Sequence, residues 1–344
     1  MATQQHGGTH LLSAHFMRTV NLHGGWFASE KNVSLSAHRW EAQLARMQPQ
    51  IGNVRLTIVH DDANLGNGGE RTWRAIRLQY ADAASLAAPA GVAACDLRWI
   101  AYEQLLEKLT TSGDCVMTVD VNDVNVIGDP MELCERYPSS ILASSDSCAI
   151  GGARGVKAWL RGIAKIANFS FASAPLLHTF LNSRARAVPI VFNSGIAGGR
   201  REVFAPFVRE MAAAIRAHHA GHLSGQPAAW RLIDMLVFNE LVLRRLVAAN
   251  EQANLEQPPL GGLGWNRSVV TGWPLGDLNL AMRGFYCGMD PCTPSNRTGW
   301  DLGHCFRSHT LSLAPNYYFT HKVPLLAHLT ETRDRYEKSM SPGR

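Results

Sequence analysis

What this 344-residue chain lacks narrows its function before any motif is read. No block of Lys and Arg interrupts it; 33 basic and 28 acidic residues leave a formal charge of +5 spread along the length. That mild excess suits an anionic small substrate and gives no reason to expect nucleic acid. No apolar run approaches the roughly 20 residues that cross a bilayer, so no membrane span is expected. The opening residues, MATQQHGGTHLLSAHFM, lack the charged start and long apolar core of a secretory signal. The expected compartment is the cytoplasm, or the secretory lumen if an anchor segment has been removed. There is no CxxC pair, which argues against a zinc knuckle or a thioredoxin site. Neither a GxxxxGK phosphate loop nor a GxGxxG after the first strand is present. Internal repeats and low-complexity segments are absent too.

What is there is ordinary globular material. Hydrophobic residues make up 46% and charged ones 18%, enough for one large core or two modest ones. Of the seven cysteines, Cys95, Cys115, Cys134 and Cys148 sit in apolar surroundings and are expected to be buried thiols. Cys287, Cys292 and Cys305 could hold one disulfide in an oxidising compartment. Asn32, Asn168, Asn266 and Asn296 each begin a glycosylation sequon, a pattern that also arises by chance.

Leu11–Met17 and Val54–Val59 read as strands, and Trp40–Gln48 as a short amphipathic helix. Asp96–Leu109 has apolar residues at 97, 100, 101, 105, 106 and 109, a helical spacing that Asp96 could cap. It leads into Val116–Val119, a β-branched strand that ends in Asp120, Asn122 and Asp123, resumes at Val124–Ile127 and stops at Gly128–Asp129–Pro130. Alternating strands and helices over the first ~130 residues predict a parallel sheet with crossover helices. Further on, Ile141–Ala143, Ala187–Phe192 and Leu311–Phe319 read as strands. Ala158–Ile166, Glu202–Ala220 and Ala228–Leu246 read as helices, and Asn250–Tyr286 as loop with short strands. The charged end, ETRDRYEKSMSPGR, reads as a solvated helix or frayed tail.

Carboxylates at the end of an interior strand are costly to bury without a cation between them, and strand ends are where open α/β sheets bind ligands. Asp120 and Asp123 therefore form a candidate pair for a hard divalent cation, with Asn122 beside them. The competing reading is an Asx turn whose Asp residues cap backbone amides. Phe192–Gly199 (FNSGIAGG) would let backbone and the Asn193 amide approach a polyhydroxylated ligand, Gly195 having no Cβ in the way. Its plain structural reading is a strand–turn–helix junction hinged at Gly198–Gly199. Asp234 opens a helical pattern, where a cap or a solvated charge is commonest. His321 and Lys322 follow a strand and could clamp metal and diphosphate together. Arg98 and Tyr102, one turn apart, could reach the same pocket, or be a surface ion pair and a packed ring. His218, His219 and His222 read as a solvated helix end; His304 and His309 are slightly better metal candidates.

In this order, these segments resemble the nucleotide-sugar-dependent glycosyltransferases of GT-A fold over about residues 9–325. The segments are DLRWIAYEQLL, VMTVDVNDVNVIGDP as a DxD-type motif, FNSGIAGG, DMLVFNEL, and a late strand ending in HK. Plant and algal members show similar D-V-x-D-V strands followed by a DP turn. The resemblance implies a mixed, mostly parallel sheet flanked by helices, with a Rossmann-like donor half (residues 1–130), an acceptor half of the same domain (131–330) and a charged tail (331–344). It implies Mn²⁺ or Mg²⁺ held by Asp120, Asp123 and His321, bridging the diphosphate of a UDP-sugar in preference to a GDP-sugar. Arg98 and Lys322 would hold the donor, Asn193 and Gly195 would line its sugar, and Asp234 would face a glycan, protein or small-molecule acceptor. The usual motif has its second Asp two residues after the first. Here Asn122 stands in that place, leaving Asn122 and Asp123 as alternative ligands.

The implied chemistry follows from charge. A departing nucleoside diphosphate gathers negative charge that a metal and a Lys or His neutralise. An inverting reaction also needs a carboxylate base, for which Asp234 is the candidate. Two other classes compete: a non-catalytic nucleotide- or sugar-binding module on the same fold, and a metal-dependent phosphatase. The phosphatase would need an Asp where Asn122 stands.

Overall fold

β-branched and apolar runs that alternate with helices can hide both faces only inside a parallel sheet, and that is where they lie. The computed structural model describes residues 7–16, 33–47, 54–65, 75–89, 92–121, 124–126, 129–145, 153–182, 192–220, 232–256 and 319–321. In chain order its elements are β1 (Thr9–His15), α1 (Val33–Met47), β2 (Val54–His60), β3 (Ile76–Tyr80), α2 (Ala94–Leu109), β4 (Cys115–Val119), β5 (Val124–Val126), α3 (Pro130–Arg136), β6 (Leu142–Ser145), α4 (Ala153–Ile166), α5 (Pro175–Asn182), β7 (Phe192–Arg200), α6 (Arg201–Ala220), α7 (Asp234–Glu256) and β8 (Phe319–His321). All residues of β4 are buried.

The main sheet has the order β3-β2-β1-β4-β7-β6. β3, β2, β1 and β4 are parallel, β7 is antiparallel to β4, and β6 is antiparallel to β7. It is a mixed, mostly parallel sheet flanked by helices, as expected. The chain moves outward from β1 to β3 and then returns to β1's other side as β4. That reversal puts a switch point between the carboxyl ends of β1 and β4, where open α/β sheets bind ligands.

One face carries Trp99, Phe204, Phe207, Leu160, Leu177 and Phe238 from α2, α4, α5, α6 and α7. Trp99, Phe207 and Phe238 meet with ring centroids 5.4–6.3 Å apart. Each such ring is worth about 1.5–3 kcal/mol of burial. Because Phe238 is one turn beyond Asp234, this packing also fixes the start of α7 against α2. The other face packs α1 and α3 through Trp40, Leu44 and Leu133. β5 pairs antiparallel with β8 in a separate two-stranded sheet, with Val124 opposite His321.

Several expectations are corrected. Cys115 and Cys134 are not thiols: they form a disulfide across 19 residues, tying α3 to the first residue of β4. Cys95 is the free cysteine among the described residues; Cys148, Cys287, Cys292 and Cys305 lie outside them. Asp96 does not cap α2, whose capping position is Ala93 with no side-chain bond. Asp129 does cap α3, accepting from the Met131 amide at 2.9 Å ahead of Pro130. FNSGIAGG is no strand–turn–helix junction but the strand β7 itself. A Cβ on Gly198 would stand 2.2 Å from Met117 Sδ, and one on Gly199, which has φ +150°, would stand 2.7 Å from Ser140 O, so the glycines serve close strand approach. α7 continues to Glu256, through residues read as loop. β3 was not foreseen because a half-exposed edge strand carries no apolar run. Residues 183–191 and 311–318, which hold two expected strand segments, lie outside the described set.

Candidate functional site

The site is assembled from the amino end of α2, the carboxyl end of β4, a bulge in β7 and the first residue of α7. Arg98 is its centre. Its Nη1 donates to Asp120 Oδ1, and its Nη2 donates to Asp234 Oδ2 and to Ser194 Oγ, both at 2.8 Å. Ser194 Oγ in turn donates to Asp234 Oδ2 at 2.9 Å. Asp234 Oδ1 accepts from the Met235 amide at 2.7 Å. Side-chain exposure is 13% for Arg98, 16% for Asp120 and 3% for Asp234. This is a nearly dry cluster of one cation and two carboxylates.

Each position has a local cause. Asp120 follows the fully buried β4, and its amide donates to Gly195 O at 2.9 Å, which locks β4 onto β7. Between β6 and β7 the register jumps: Ala143 pairs with Ala197, but Ser144 pairs with Asn193. Ser194 to Ile196 are thereby skipped in the pairing with β6, and a bulge of this kind re-aims a side chain. Here it delivers Ser194 to Arg98. On α7, Asn239 accepts from Phe192 N at 2.8 Å and donates to Phe192 O at 2.9 Å, completing the amino end of β7. Glu240 accepts from the Leu177 amide at 2.8 Å and so caps α5. The DMLVFNE segment thus combines one charged site residue, Asp234, with two, Asn239 and Glu240, that hold its scaffold.

The electrostatics match the geometry. Burial opposes the charge on Arg98, but Asp120 and Asp234 beside it outweigh that and hold its guanidinium well above the usual range. Burial, with Asp234 adding to it, pushes the Cys95 thiol up. Burial likewise raises the Tyr102 hydroxyl, against the pull of Arg98. Tyr102 is the packed ring and not an open pocket residue, meeting Trp99 edge-on at 5.8 Å. Arg98 Nε and Trp99 Nε1 are buried donors with no partner among the described residues. An orphaned buried donor costs about 1–3 kcal/mol, and a ligand oxygen or a water would remove that cost.

Of the residues singled out by sequence, Arg98, Asp120 and Asp234 come together. Gly195 joins them through its backbone. Asn193 is in β7 and His321 in β8, where only their backbone is described. Asn122, Asp123, Lys322, His222, His304 and His309 lie outside the described residues. His219 is corrected: it does not belong to a solvated helix end but is buried, with Nε2 2.8 Å from Asp96 Oδ2. Ser194 was quoted in its motif without a role, and only the bulge reveals one. Asp96 was read as a cap for the wrong helix.

No protein-family model matches the chain, and no curated protein matches it in sequence. Solved structures do match, 130 chains among them. One is the crystal structure of galactosyltransferase LgtC in complex with donor and acceptor sugar analogues. It is 14% identical, with 66% of this chain and 70% of that one covered, at a TM-score of 0.33. A likeness that distant assigns no residue a role.

Of the side chains expected to hold a divalent cation, the structure describes that of Asp120. A carboxylate offers about four lone-pair positions, so Asp120 can bind a metal while keeping Arg98. The β5–β8 register brings His321 opposite Val124, four residues past Asp120. Among the described residues no three His, Cys, Asp or Glu side chains converge on one point.

Proposed function

We propose that this chain is a metal-assisted glycosyltransferase that moves a sugar from a nucleotide-diphosphate sugar to a hydroxyl acceptor. The observation that carries the reading is Arg98. It is a buried guanidinium shared by Asp120 and Asp234 at the carboxyl end of β4, with an Nε–H that has no partner among the described residues. A sugar is a set of vicinal hydroxyls, and paired carboxylates with a guanidinium and a hydroxyl between them offer it donors and acceptors in a water-poor setting. Arg98, Asn193 and Gly195 line the donor in this reading, and Lys322 pairs with its phosphates.

Asp120, with Asp123 or Asn122 and with His321, would hold Mn²⁺ or Mg²⁺. Bound there, the ion would supply charge neutralisation for the departing diphosphate. The donor is a UDP-sugar in preference to a GDP-sugar. Asp234 is the acceptor-facing base. Without substrate its oxygens are taken by Arg98, Ser194 and the Met235 amide, so an acceptor hydroxyl has to replace one of these partners to be deprotonated.

The test is a panel of nucleotide sugars incubated with and without Mn²⁺, with nucleotide release as the readout and thermal stabilisation by UDP, GDP and Mn²⁺ measured alongside. The reading predicts Mn²⁺-dependent stabilisation by one nucleotide and slow hydrolysis of its cognate sugar. Binding without turnover across the panel would make the chain a binding module. Phosphate release from simple phosphoesters would make it a phosphatase.

A further inference from the structure

Asp234 is gripped twice by the same helix. Arg98 holds its carboxylate, while two residues earlier on α2 Asp96 holds its backbone. Asp96 Oδ1 accepts from the Asp234 amide at 2.8 Å and from the Ile233 amide at 3.1 Å. Ile233 is the capping position of α7, since its carbonyl accepts from the amides of Leu236 and Val237 at 2.9 and 3.0 Å. An isoleucine has no oxygen to offer its own helix. Asp96 supplies that oxygen from α2 instead, and its charge faces the positive end of the α7 dipole. Its other oxygen accepts from His219 Nε2, near the end of α6, at 2.8 Å. Both side chains are 0% exposed.

We propose that Asp96, oriented by His219, is a positioning residue for Asp234: it borrows the start of α7 into α2, so that the Asp234 carboxylate meets Arg98, Ser194 and the bound sugar in one geometry. Three helices are cross-linked at this point by charge-assisted hydrogen bonds, which are directional where apolar packing is not. The placement of α7 along its own axis is therefore set by Asp96, and the aromatic cluster one turn away sets its tilt. What is positioned for rests on the glycosyltransferase reading; the positioning itself does not.

The experiment compares Asp96→Ala, Asp96→Asn and His219→Phe. One arm is nucleotide-sugar turnover, the other the amide and guanidinium NMR signals of Ile233, Asp234 and Arg98 without substrate. Displacing a reacting group by about 1 Å costs on the order of 100-fold in rate. Asp96→Ala is expected to lose kcat on that scale with KM for the nucleotide sugar unchanged. Asp96→Asn keeps an acceptor for both amides and is expected to recover most of the loss. The Asp234 amide and Arg98 guanidinium signals should shift in Asp96→Ala and return towards wild type in Asp96→Asn. A folded Asp96→Ala with wild-type kcat, or with unshifted Asp234 and Arg98 signals, overturns the proposal, as does an Asp96→Asn no better than Ala. If Asp96→Ala does not fold, His219→Phe decides. Lowered kcat with a shifted Asp234 amide supports the inference, and an unchanged protein rejects it. If the wild type turns over no nucleotide sugar, the enzymatic reading fails while the NMR arm still tests the positioning.

Discussion

Two polar clusters are buried at the carboxyl edge of the same sheet, and they survive burial by different means. Beyond β4 and β7, Arg98, Asp120, Ser194 and Asp234 keep their charges and match them. Beyond β1 and β2, His15 and His60 shed theirs. His15 has the Ser36 hydroxyl at 3.2 Å from Nδ1. His60 is 0% exposed with both ring nitrogens lacking a partner among the described residues, and Tyr80 stands edge-on at 6.0 Å. Burial lowers both histidines despite the opposing pull of Asp61 and Asp62. A matched cluster is strong until one member is removed; a neutral one tolerates substitution but fails in acid.

The sharpest way to break this contrast is Arg98→Met. It leaves two buried carboxylates without their cation, and such losses run to about 3–5 kcal/mol. Urea denaturation should show an unfolding free energy lower by that amount, with Arg98→Lys between the two. A loss under 1 kcal/mol would mean that the cluster is screened like a surface pair. Next is the staple beneath it. The Cys115–Cys134 disulfide closes the loop that carries Asp120 and Asp129. Reducing it, or replacing both cysteines with Ala, should cost about 3 kcal/mol for a loop of this length. A melting temperature indifferent to reductant would contradict this.

Two pH profiles of unfolding free energy then sharpen the comparison. Asp96 has its carboxyl pushed by burial up to about 6, which the His219 hydrogen bond partly offsets. Between about pH 4 and that value the folded chain keeps a proton that the unfolded chain releases. Wild type should therefore lose stability relative to Asp96→Asn as pH rises through that window; parallel curves would refute the shift. For His15 and His60 the sign reverses. Their folded values lie below 6.5, so the unfolded chain takes up protons first and stability falls as pH drops below it. His60→Phe removes one of these sites. It should cost no more than about 1 kcal/mol at neutral pH and flatten the acid slope. An unaltered slope would mean that His60 is protonated in both states.

The sheet was legible because β4 is buried throughout and β1 and β2 are buried at nearly every position, so each carries an apolar run, and the switch point follows from their order. β3 was not, since an edge strand needs no such pattern. The individual acids were legible at the ends of β4 and α7, but their partners were not. Arg98 and Asp234 are 136 positions apart, and nothing local to either states the pairing. Asp96 is the clearest case. An Asp at the first turn of a helix reads as that helix's own cap, and only tertiary structure shows that it caps another. The glycines of β7 were less legible: Gly198–Gly199 reads as a hinge in sequence, whereas in the fold these two glycines let the strand approach Met117 and Ser140. Two buried cysteines 19 residues apart look alike in sequence whether bonded or free.

The central claim is that the carboxylate at the end of β4 serves a cation and a sugar donor, and one comparison tests it most directly. Mn²⁺-dependent nucleotide release from a UDP-sugar is measured for wild type and for Asp120→Asn, with equal folding verified by melting. The account predicts turnover that requires Mn²⁺ in the wild type and falls on the order of 100-fold in the variant. Equal turnover in both proteins, or wild-type turnover indifferent to the metal, would contradict it.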